Sequence, residues 1–155
     1  MAAREVAGEV MTDLDVVLLS VTAWKENRAA GIPGLTSIIN VVVNRSVRDG
    51  SSCYAECVKR LQFSSITAPG DPELALWPAE TDQQFQEAQQ LAQQAASGSL
   101  VDITHGSTLY YAPGSIRSTK LVTIDGVQFP FPQTWNEAAV RYTVTIGKQL
   151  FFVEV

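Results

Sequence analysis

Residues 13–29 read DLDVVLLSVTAWKENRA and predict a helix, which Thr12 or Asp13 can cap. Apolar residues fall at helical spacing on one face and also occupy the other faces, as at Val16 and Leu19. A helix that is apolar nearly all round is a buried helix. We therefore expect this helix to be buried.

Further helical patterns follow this first helix along the chain. Helices are predicted over 35–49, 53–61 and 81–96, with Thr81 as the cap of the last one. Gly31, Pro33 and Gly34 are expected to break the chain between the first two helices, and Tyr54 and Cys57 are expected to face inward. The stretch 62–78 is long, and rich in turn residues, yet it contains apolar side chains. It therefore predicts a packed, functional loop.

The period of the pattern changes near Thr108 from helical spacing to that of strands. Strands are predicted at 108–111, 121–123, 127–129, 141–146 and 150–155. Asp125-Gly126 and Gly147-Lys148 predict hairpin turns. Helices followed by strands predict an α+β fold, with residues 1–155 forming a single domain after a loose lead-in over 1–11.

Composition and charge exclude several classes of protein. The chain has 155 residues, 46% hydrophobic and 17% charged, which is typical of a globular domain. Eleven Lys and Arg against sixteen Asp and Glu give a net charge of −5, which argues against binding to nucleic acids or to anionic membranes. No apolar run reaches the roughly 18 residues that membrane insertion needs, and acidic residues stand where a signal peptide is positive. We expect a monomer made in the cytoplasm.

Residues that bind metals are scarce in the chain. His105 is the one histidine, and the two cysteines, Cys53 and Cys57, are four residues apart. This set does not provide a metal site, so we expect no metal and no cofactor. The cysteines are expected to be reduced thiols, and His105 to be a surface or turn residue.

Glu26 is the first candidate catalytic residue. It lies at the carboxyl end of the predicted buried helix, where apolar surroundings and the helix dipole both raise the pKa of a carboxyl group. A raised pKa is typical of a general acid. Lys25 and Arg28 would act in the opposite direction, and the alternative is a helix-end carboxylate paired with Arg28.

A set of aromatic residues in or beside loops is the second candidate feature. Its members are Trp77, Tyr110, Tyr111 and Trp135. Aromatic rings near Asn, Gln and Ser suit a sugar, because its C–H faces stack on rings while its hydroxyls bind polar groups. Ordinary packing at the edge of the fold is the alternative.

The stretch 24–45, WKENRAAGIPGLTSIINVVVNR, resembles the opening motif of the cell wall hydrolases related to the spore-cortex-lytic enzyme. In that family a helix ends in a Glu followed two residues later by Arg, a Gly comes eight after the Glu, and an apolar helix ends in Asn-Arg. The matching residues here are Glu26, Arg28, Gly34, Asn44 and Arg45. Later matches are Gln62-Phe63-Ser64, Asp102, Gly106-Ser107-Thr108, Tyr110-Tyr111, Ile146-Gly147 and Phe151-Phe152. The resemblance spans roughly residues 13–153, and 66–78 is most similar to phage and prophage members.

The resemblance implies a lysozyme-like or lytic-transglycosylase-like domain with a helical core and a small antiparallel sheet. It implies cleavage of the bond between N-acetylmuramic acid and N-acetylglucosamine in peptidoglycan, with Glu26 as the general acid. The residues expected to bind the glycan strand are Arg28, Gln62, Ser64, Tyr110, Tyr111 and Trp135. The expected context is a phage endolysin or a virion-associated lysin that acts on the bacterial cell wall.

Two outcomes of the cleavage remain open. A lytic transglycosylase needs one acid, because the C6 hydroxyl of the substrate can be the nucleophile, and this outcome is favoured here. A hydrolytic muramidase needs a second carboxylate, for which Asp71, Glu73 and Asp102 are the candidates. Two further functions compete with cleavage of the glycan strand. One is a catalytically silent wall-binding or virion module, and the less favoured one, because of the single histidine, is an N-acetylmuramoyl-L-alanine amidase.

The chain departs from the family pattern at four positions. The family usually has a second Glu where this chain has Ala30, and a Cys where it has Ser65. Histidines common in the family are replaced by Leu109 and Gln149. The change at Ala30 matters most, because a second Glu could help to orient or charge the site.

Overall fold

The computed structural model describes residues 5–6, 9–59 and 62–155, with side chains from Val10 onward. Helices come first and small antiparallel sheets follow, with 50% of the chain helical and 17% in strands, which is compatible with the predicted α+β class. The chain divides into two compact units, Met1–Ile103 and Thr104–Val155. A single lysozyme-like domain over the whole chain stays a prediction.

The first unit contains all five α-helices of the described residues. They are α1 (Asp13–Asn27), α2 (Gly31–Asp49), α3 (Cys53–Val58), α4 (Ser64–Thr67) and α5 (Gln83–Ser97). Two short strands, β1 (Glu5–Val6) and β2 (Glu9–Val10), pair antiparallel ahead of α1. The predicted loose lead-in thus contains a small strand pair, and residues 1–4, 7 and 8 of it lie outside the described residues.

Helix α1 is the buried helix that the sequence predicts. Thr12 caps it, since its side chain accepts a hydrogen bond from the Asp15 N–H while the Asp15 carboxylate accepts one from the Thr12 N–H. Leu19 and Ala23 are completely buried, and α2, α3 and α5 all pack against this helix. The prediction of a buried first helix is therefore confirmed for these faces, whereas Leu14 and Val17 near its start are exposed.

The predicted break before α2 is wrong in position. A 3-10 turn at Arg28–Ala30 separates the two helices, and α2 already begins at Gly31 and runs through Pro33 and Gly34. Proline is tolerated there because the N–H groups of a helix's first turn have no acceptor within the helix. The rule that Gly and Pro interrupt a helix applies to its interior and misplaced this boundary.

Smaller corrections concern caps and faces. Asp82, not Thr81, caps α5, because its carboxylate accepts a hydrogen bond from the Phe85 N–H at 2.9 Å. Tyr54 is exposed rather than inward, whereas Cys57 is buried as predicted. The last residue of the predicted helix 53–61, Leu61, lies outside the described residues.

The second unit is built from antiparallel strands. They are β3 (Leu109–Tyr111), β4 (Leu121–Ile124), β5 (Val127–Pro130), β6 (Val140–Ile146) and β7 (Gln149–Glu154). Strands β3, β7 and β6 form one sheet in that order, and β4 and β5 form a hairpin through Asp125 and Gly126, both with positive φ. The five predicted strands are confirmed. The buried core of this unit consists of Tyr111, Ile124, Phe131, Leu150 and Phe152.

Among the described residues, no helix is both long enough and apolar enough to cross a membrane.

Candidate active site

Glu26 lies in the last turn of α1 and is half-buried. The hydroxyl of Ser65, a residue that is only 3% exposed, donates a hydrogen bond to Glu26 Oε1 at 2.9 Å. Within the described residues this is the one hydrogen bond of the Glu26 carboxyl group. The end of α1 and the stretch that follows α3 thus meet at this carboxyl.

The pKa of Glu26 is raised above its ordinary value. Burial is the main cause, the negative charges of Asp71 and Glu73 raise the pKa further, and the Ser65 hydrogen bond and the charge of Arg45 lower it. A glutamate that keeps its proton to higher pH can donate it to a leaving group. The pKa of Glu26 is therefore shifted in the direction that a general acid requires.

Arg28 does not pair with Glu26, so the alternative interpretation of Glu26 as a helix-end ion pair is wrong. The guanidinium binds Glu73 through both terminal nitrogens, at 2.8 and 2.9 Å. It also donates to the Trp24 carbonyl at 3.0 Å and lies 4.0 Å from the centre of the Trp24 ring. Arg28 was predicted to bind the glycan strand, but these contacts within the protein already occupy its guanidinium group.

Lys25 holds the stretch 65–77 against α1. Its ammonium group donates to the carbonyls of Ser65 at 3.3 Å, Glu73 at 2.6 Å and Leu74 at 3.1 Å. It also lies 4.5 Å from the centre of the Trp77 ring. Burial lowers the pKa of Lys25, whose side chain is nonetheless satisfied by these contacts. Lys25 thereby fixes the backbone of Ser65, the residue whose hydroxyl binds Glu26.

The three candidate second carboxylates all have partners within the protein. Asp71 accepts hydrogen bonds from the Ser64 hydroxyl at 2.5 Å and the Glu73 N–H at 2.9 Å. The Asn44 amide donates to Asp102 at 3.0 Å. The pKa of Asp71 is lowered mainly by its hydrogen bond from Ser64, and the pKa of Glu73 mainly by its hydrogen bond from Arg28. Asp71 and Glu73 are therefore weak bases.

Gln62 and Ser64 are exposed, beside the buried Ser65 in the chain. Within the described residues no hydrogen bond joins either of them to Glu26. Their role in glycan binding stays a prediction. It is favoured by the exposure of both side chains and by their closeness to Ser65 in the chain.

The three aromatic residues predicted to bind glycan lie in the second unit. Tyr111 is 8% exposed and its hydroxyl donates to the Pro130 carbonyl at 2.7 Å, while Trp135 packs edge-on against the Tyr111 ring at 5.4 Å. Tyr110 is half-buried and stacks on Phe151 at 5.6 Å. Packing within the sheet unit thus accounts for Tyr111 and Trp135, and the predicted grouping of these rings with Glu26 stays a prediction.

Trp77 is the most exposed aromatic side chain among the large exposed hydrophobic residues, with 69% of its surface accessible. It borders an open apolar cavity of about 260 Å³. The other residues that line this cavity are Val17, Leu18, Val21, Lys25, Ile66 and Leu74. Neither Glu26 nor Ser65 lines this cavity, although their neighbours in the chain, Lys25 and Ile66, do.

Sequence reasoning missed Ser65 and Lys25 as site residues. Ser65 entered only as a departure from the family pattern, and Lys25 only as a charge near Glu26. A usable signal for Lys25 was its position within an otherwise apolar helix, since a buried cation needs partners. Nothing local in the sequence indicates that the Ser65 side chain points to Glu26.

In the part of the chain that the structure describes, no group of three or more His, Cys, Asp or Glu side chains could hold a metal ion. His105 is exposed in a turn with φ of 54°, which confirms its predicted placement. Cys53 and Cys57 are buried and form no disulfide.

No protein-family model, no curated protein and no solved structure matches this chain. The function is therefore inferred from the residues and their geometry.

Proposed function

We propose that the chain is a peptidoglycan-cleaving enzyme that breaks the bond between N-acetylmuramic acid and N-acetylglucosamine, with Glu26 as its general acid. One observation carries this proposal: the Glu26 carboxyl is half-buried, bound by the Ser65 hydroxyl, and has a raised pKa. The resemblance of residues 24–45 to the cell wall hydrolases related to the spore-cortex-lytic enzyme supplies the substrate class.

The proposed reaction is a lytic transglycosylation. Glu26 donates its proton to the glycosidic oxygen as the bond from that oxygen to C1 of N-acetylmuramic acid breaks. Positive charge develops at C1, and the C6 hydroxyl of the same sugar attacks C1. The hydroxyl proton returns to the Glu26 carboxylate, so the products are an anhydro sugar end and a free N-acetylglucosamine end, and no water is consumed.

The state of Asp71 and Glu73 supports transglycosylation over hydrolysis. A hydrolytic glycosidase uses a second carboxylate as a base or nucleophile. Asp71 and Glu73 have lowered pKa values and bind Ser64 and Arg28, respectively. Neither is a strong base for activating water.

Trp77 is the aromatic residue that we propose for sugar stacking in the helical unit. Its ring is exposed, and it belongs to the stretch 65–77 that Lys25 fixes to α1. The biological context that we propose, a phage endolysin or virion-associated lysin, rests on the similarity of residues 66–78 to phage and prophage members.

The first prediction is that Glu26→Gln abolishes most of the activity while the fold survives. The amide keeps the shape and an oxygen that can accept the Ser65 hydrogen bond, but it has no titratable proton. We expect the release of muropeptides from purified sacculi to fall by about 10²-fold or more, the usual scale for a general acid. Glu80→Gln, at an exposed position of the same unit, is the matched control and should retain activity.

Mass spectrometry of the digested sacculi tests the reaction type. Transglycosylation gives anhydro ends, whereas a muramidase gives reducing ends, which are heavier by one water. Free stem peptides with intact glycan strands would instead identify an amidase. Wild-type activity in folded Glu26→Gln protein, or no release by the unmodified chain, would contradict the proposed function.

A further inference from the structure

We propose that Ser65 is the positioning residue of Glu26: its hydroxyl holds Oε1 and leaves Oε2 to face the glycosidic oxygen. The inference rests on the proposed role of Glu26 as the acid and adds the residue that orients and tunes it. Ser65 is a departure from the family pattern, so the resemblance does not supply this role.

Both the backbone and the side chain of Ser65 are held by hydrogen bonds. Its own carbonyl accepts a hydrogen bond from the ammonium group of Lys25, a residue that is 5% exposed and also binds the carbonyls of Glu73 and Leu74. The Ser65 side chain is buried and directed at Glu26 Oε1. A donor anchored through its backbone restricts the carboxyl more strongly than an exposed, rotating hydroxyl would.

The second oxygen of Glu26 has a different environment. Oε2 has no hydrogen-bond partner among the described residues, so the carboxyl is bound on one side only. A general acid needs this arrangement, because the oxygen that carries the proton must be within reach of the leaving group. The Ser65 contact therefore selects which oxygen is available.

The same hydrogen bond moderates the proton affinity of the acid. Burial and the charges of Asp71 and Glu73 favour the protonated carboxyl, and Arg45 from α2 opposes them. Lys25 and Arg28, beside Glu26 in the chain, direct their charged groups at backbone carbonyls and at Glu73. The O–H donor of Ser65 stabilises the carboxylate, which must form transiently when the proton leaves.

Replacing Ser65 separates this role from a merely structural one. In Ser65→Ala the donor is lost, so the pKa of Glu26 should rise and the decline of kcat at high pH should move to higher pH. Without this hydrogen bond the Glu26 carboxyl group can also rotate, which should lower kcat by roughly tenfold or more. Ser65→Thr retains a hydroxyl and should restore both properties, and Ser65→Cys, a weak donor, should give intermediate behaviour.

The matched control is Ser20→Ala. Ser20 is also a buried serine, but its hydroxyl donates to the Val16 carbonyl within α1. This variant should leave the pH profile unchanged. Ser20→Ala thus shows how the loss of a buried hydroxyl affects stability when no contact with Glu26 is lost.

The experiment follows two signals in the same proteins. The side-chain carboxyl of Glu26 is titrated by NMR in protein labelled with ¹³C-glutamate, and its resonance is assigned by its absence in Glu26→Gln. The rate of muropeptide release is measured against pH in parallel. An upward shift of both the NMR titration and the kinetic limb in Ser65→Ala, reversed in Ser65→Thr, is the expected result.

An unchanged titration and pH profile in Ser65→Ala would overturn the inference and leave the proposed function intact. Conversely, a shifted NMR titration in a chain that releases no muropeptides would refute the proposed function while retaining the coupling of Ser65 to Glu26. If Ser65→Ala does not fold, Ser65→Cys carries the same comparison, and identical behaviour of the Cys, Thr and unmodified proteins would overturn the inference.

Discussion

The Glu26 carboxyl affects stability as well as the proposed chemistry, because its pKa is raised in the folded protein. The ordinary value of 4.5 applies to the unfolded chain. Protonated Glu26 therefore stabilises the fold relative to the ionised form. That stabilisation is fully present below the unfolded pKa and is lost as the pH rises through the folded pKa. Above the folded pKa the protein contains a half-buried carboxylate that burial disfavours.

The second prediction is that Glu26→Gln unfolds at a higher temperature than the unmodified protein at pH 7. The variant removes the ionisation and keeps an acceptor for Ser65. We expect a gain of about 1 kcal/mol in the free energy of unfolding, a typical gain from relieving a strained functional site, or roughly 2–4 °C in Tm. Thermal unfolding followed by circular dichroism at pH 7 measures this difference.

The pH dependence provides the control for this stability effect. The difference in Tm should shrink as the pH falls below the unfolded value of 4.5, because Glu26 then becomes neutral in both states, and Glu80→Gln should show no comparable difference at pH 7. A Glu26→Gln protein that is less stable than the unmodified chain at pH 7, or a difference independent of pH, would contradict the pKa direction.

For individual side chains, the sequence predicts a candidate acid but not its surroundings. Periodicity places Glu26 at the end of a buried helix, and the resemblance of residues 24–45 to the cell wall hydrolases makes it the candidate. Its pairing with Ser65, and the pairing of Arg28 with Glu73, could not be predicted, since both depend on how the stretch 65–77 folds back on α1. Contacts between distant segments have no local pattern.

The junction between α1 and α2 depends on the lack of a side chain at Gly34. A Cβ at this position would lie 2.6 Å from the Ala30 Cβ and 2.7 Å from the Asn27 carbonyl oxygen. Both distances are shorter than van der Waals contact allows. The 3-10 turn at Arg28–Ala30 can therefore approach α2 closely only because residue 34 is glycine.

The third prediction is that Gly34→Ala destabilises the helical unit. Alanine would gain roughly 0.5–1 kcal/mol of helix propensity, but the overpacking costs about 1–3 kcal/mol. The cost of overpacking should exceed the gain in helix propensity, so Tm should fall by a few degrees, as measured by thermal unfolding. Muropeptide release should fall as well, because the displaced turn directly follows Asn27 and Glu26.

Gly114→Ala is the matched control for Gly34→Ala. An added Cβ at Gly114 has no atom within 4 Å, and its backbone does not require glycine. This variant should unfold within experimental error of the unmodified protein. A Gly34→Ala protein as stable as Gly114→Ala would show that the junction can relax.

Among the helices and strands, periodicity predicted most of the fold. The first helix and the five strands of the second unit are where the pattern places them. Two errors lie at ends: Pro33 and Gly34 belong to α2, and Asp82 rather than Thr81 caps α5. A third is α4, a short helix inside the stretch 62–78 that was predicted as a loop. Capping and first-turn geometry differ by one or two residues in ways that apolar spacing does not record.

Taken as a whole, the chain divides into two compact units, and a single domain over residues 1–155 stays a prediction. The division falls between Ile103 and Thr104, close to the change from helical to strand periodicity near Thr108. Ser97, Gly98 and Ser99 lie shortly before this point, where Gly98 ends α5, and they did not by themselves indicate a boundary. The separate cores follow from the order of elements, since helices and strands are not interleaved.

The fourth prediction concerns metal and redox independence of the intact protein. The proposed reaction needs a proton donor and a hydroxyl nucleophile, both available without a metal. We expect the rate of muropeptide release to be unchanged by EDTA and by millimolar reductant. Loss of activity with EDTA that zinc restores would contradict this expectation and favour an amidase.

The thiols lead to a practical consequence for labelling. Cys53 and Cys57 are each at most 1% exposed, and burial raises the pKa of Cys57 to about 12. A thiol reacts with maleimides as its thiolate, and burial also denies the reagent access. A single cysteine introduced at an exposed position, as in Ser115→Cys, would thus be the preferred attachment point for a fluorophore. Binding of the labelled protein to sacculi could then be watched directly, with the native cysteines left in place.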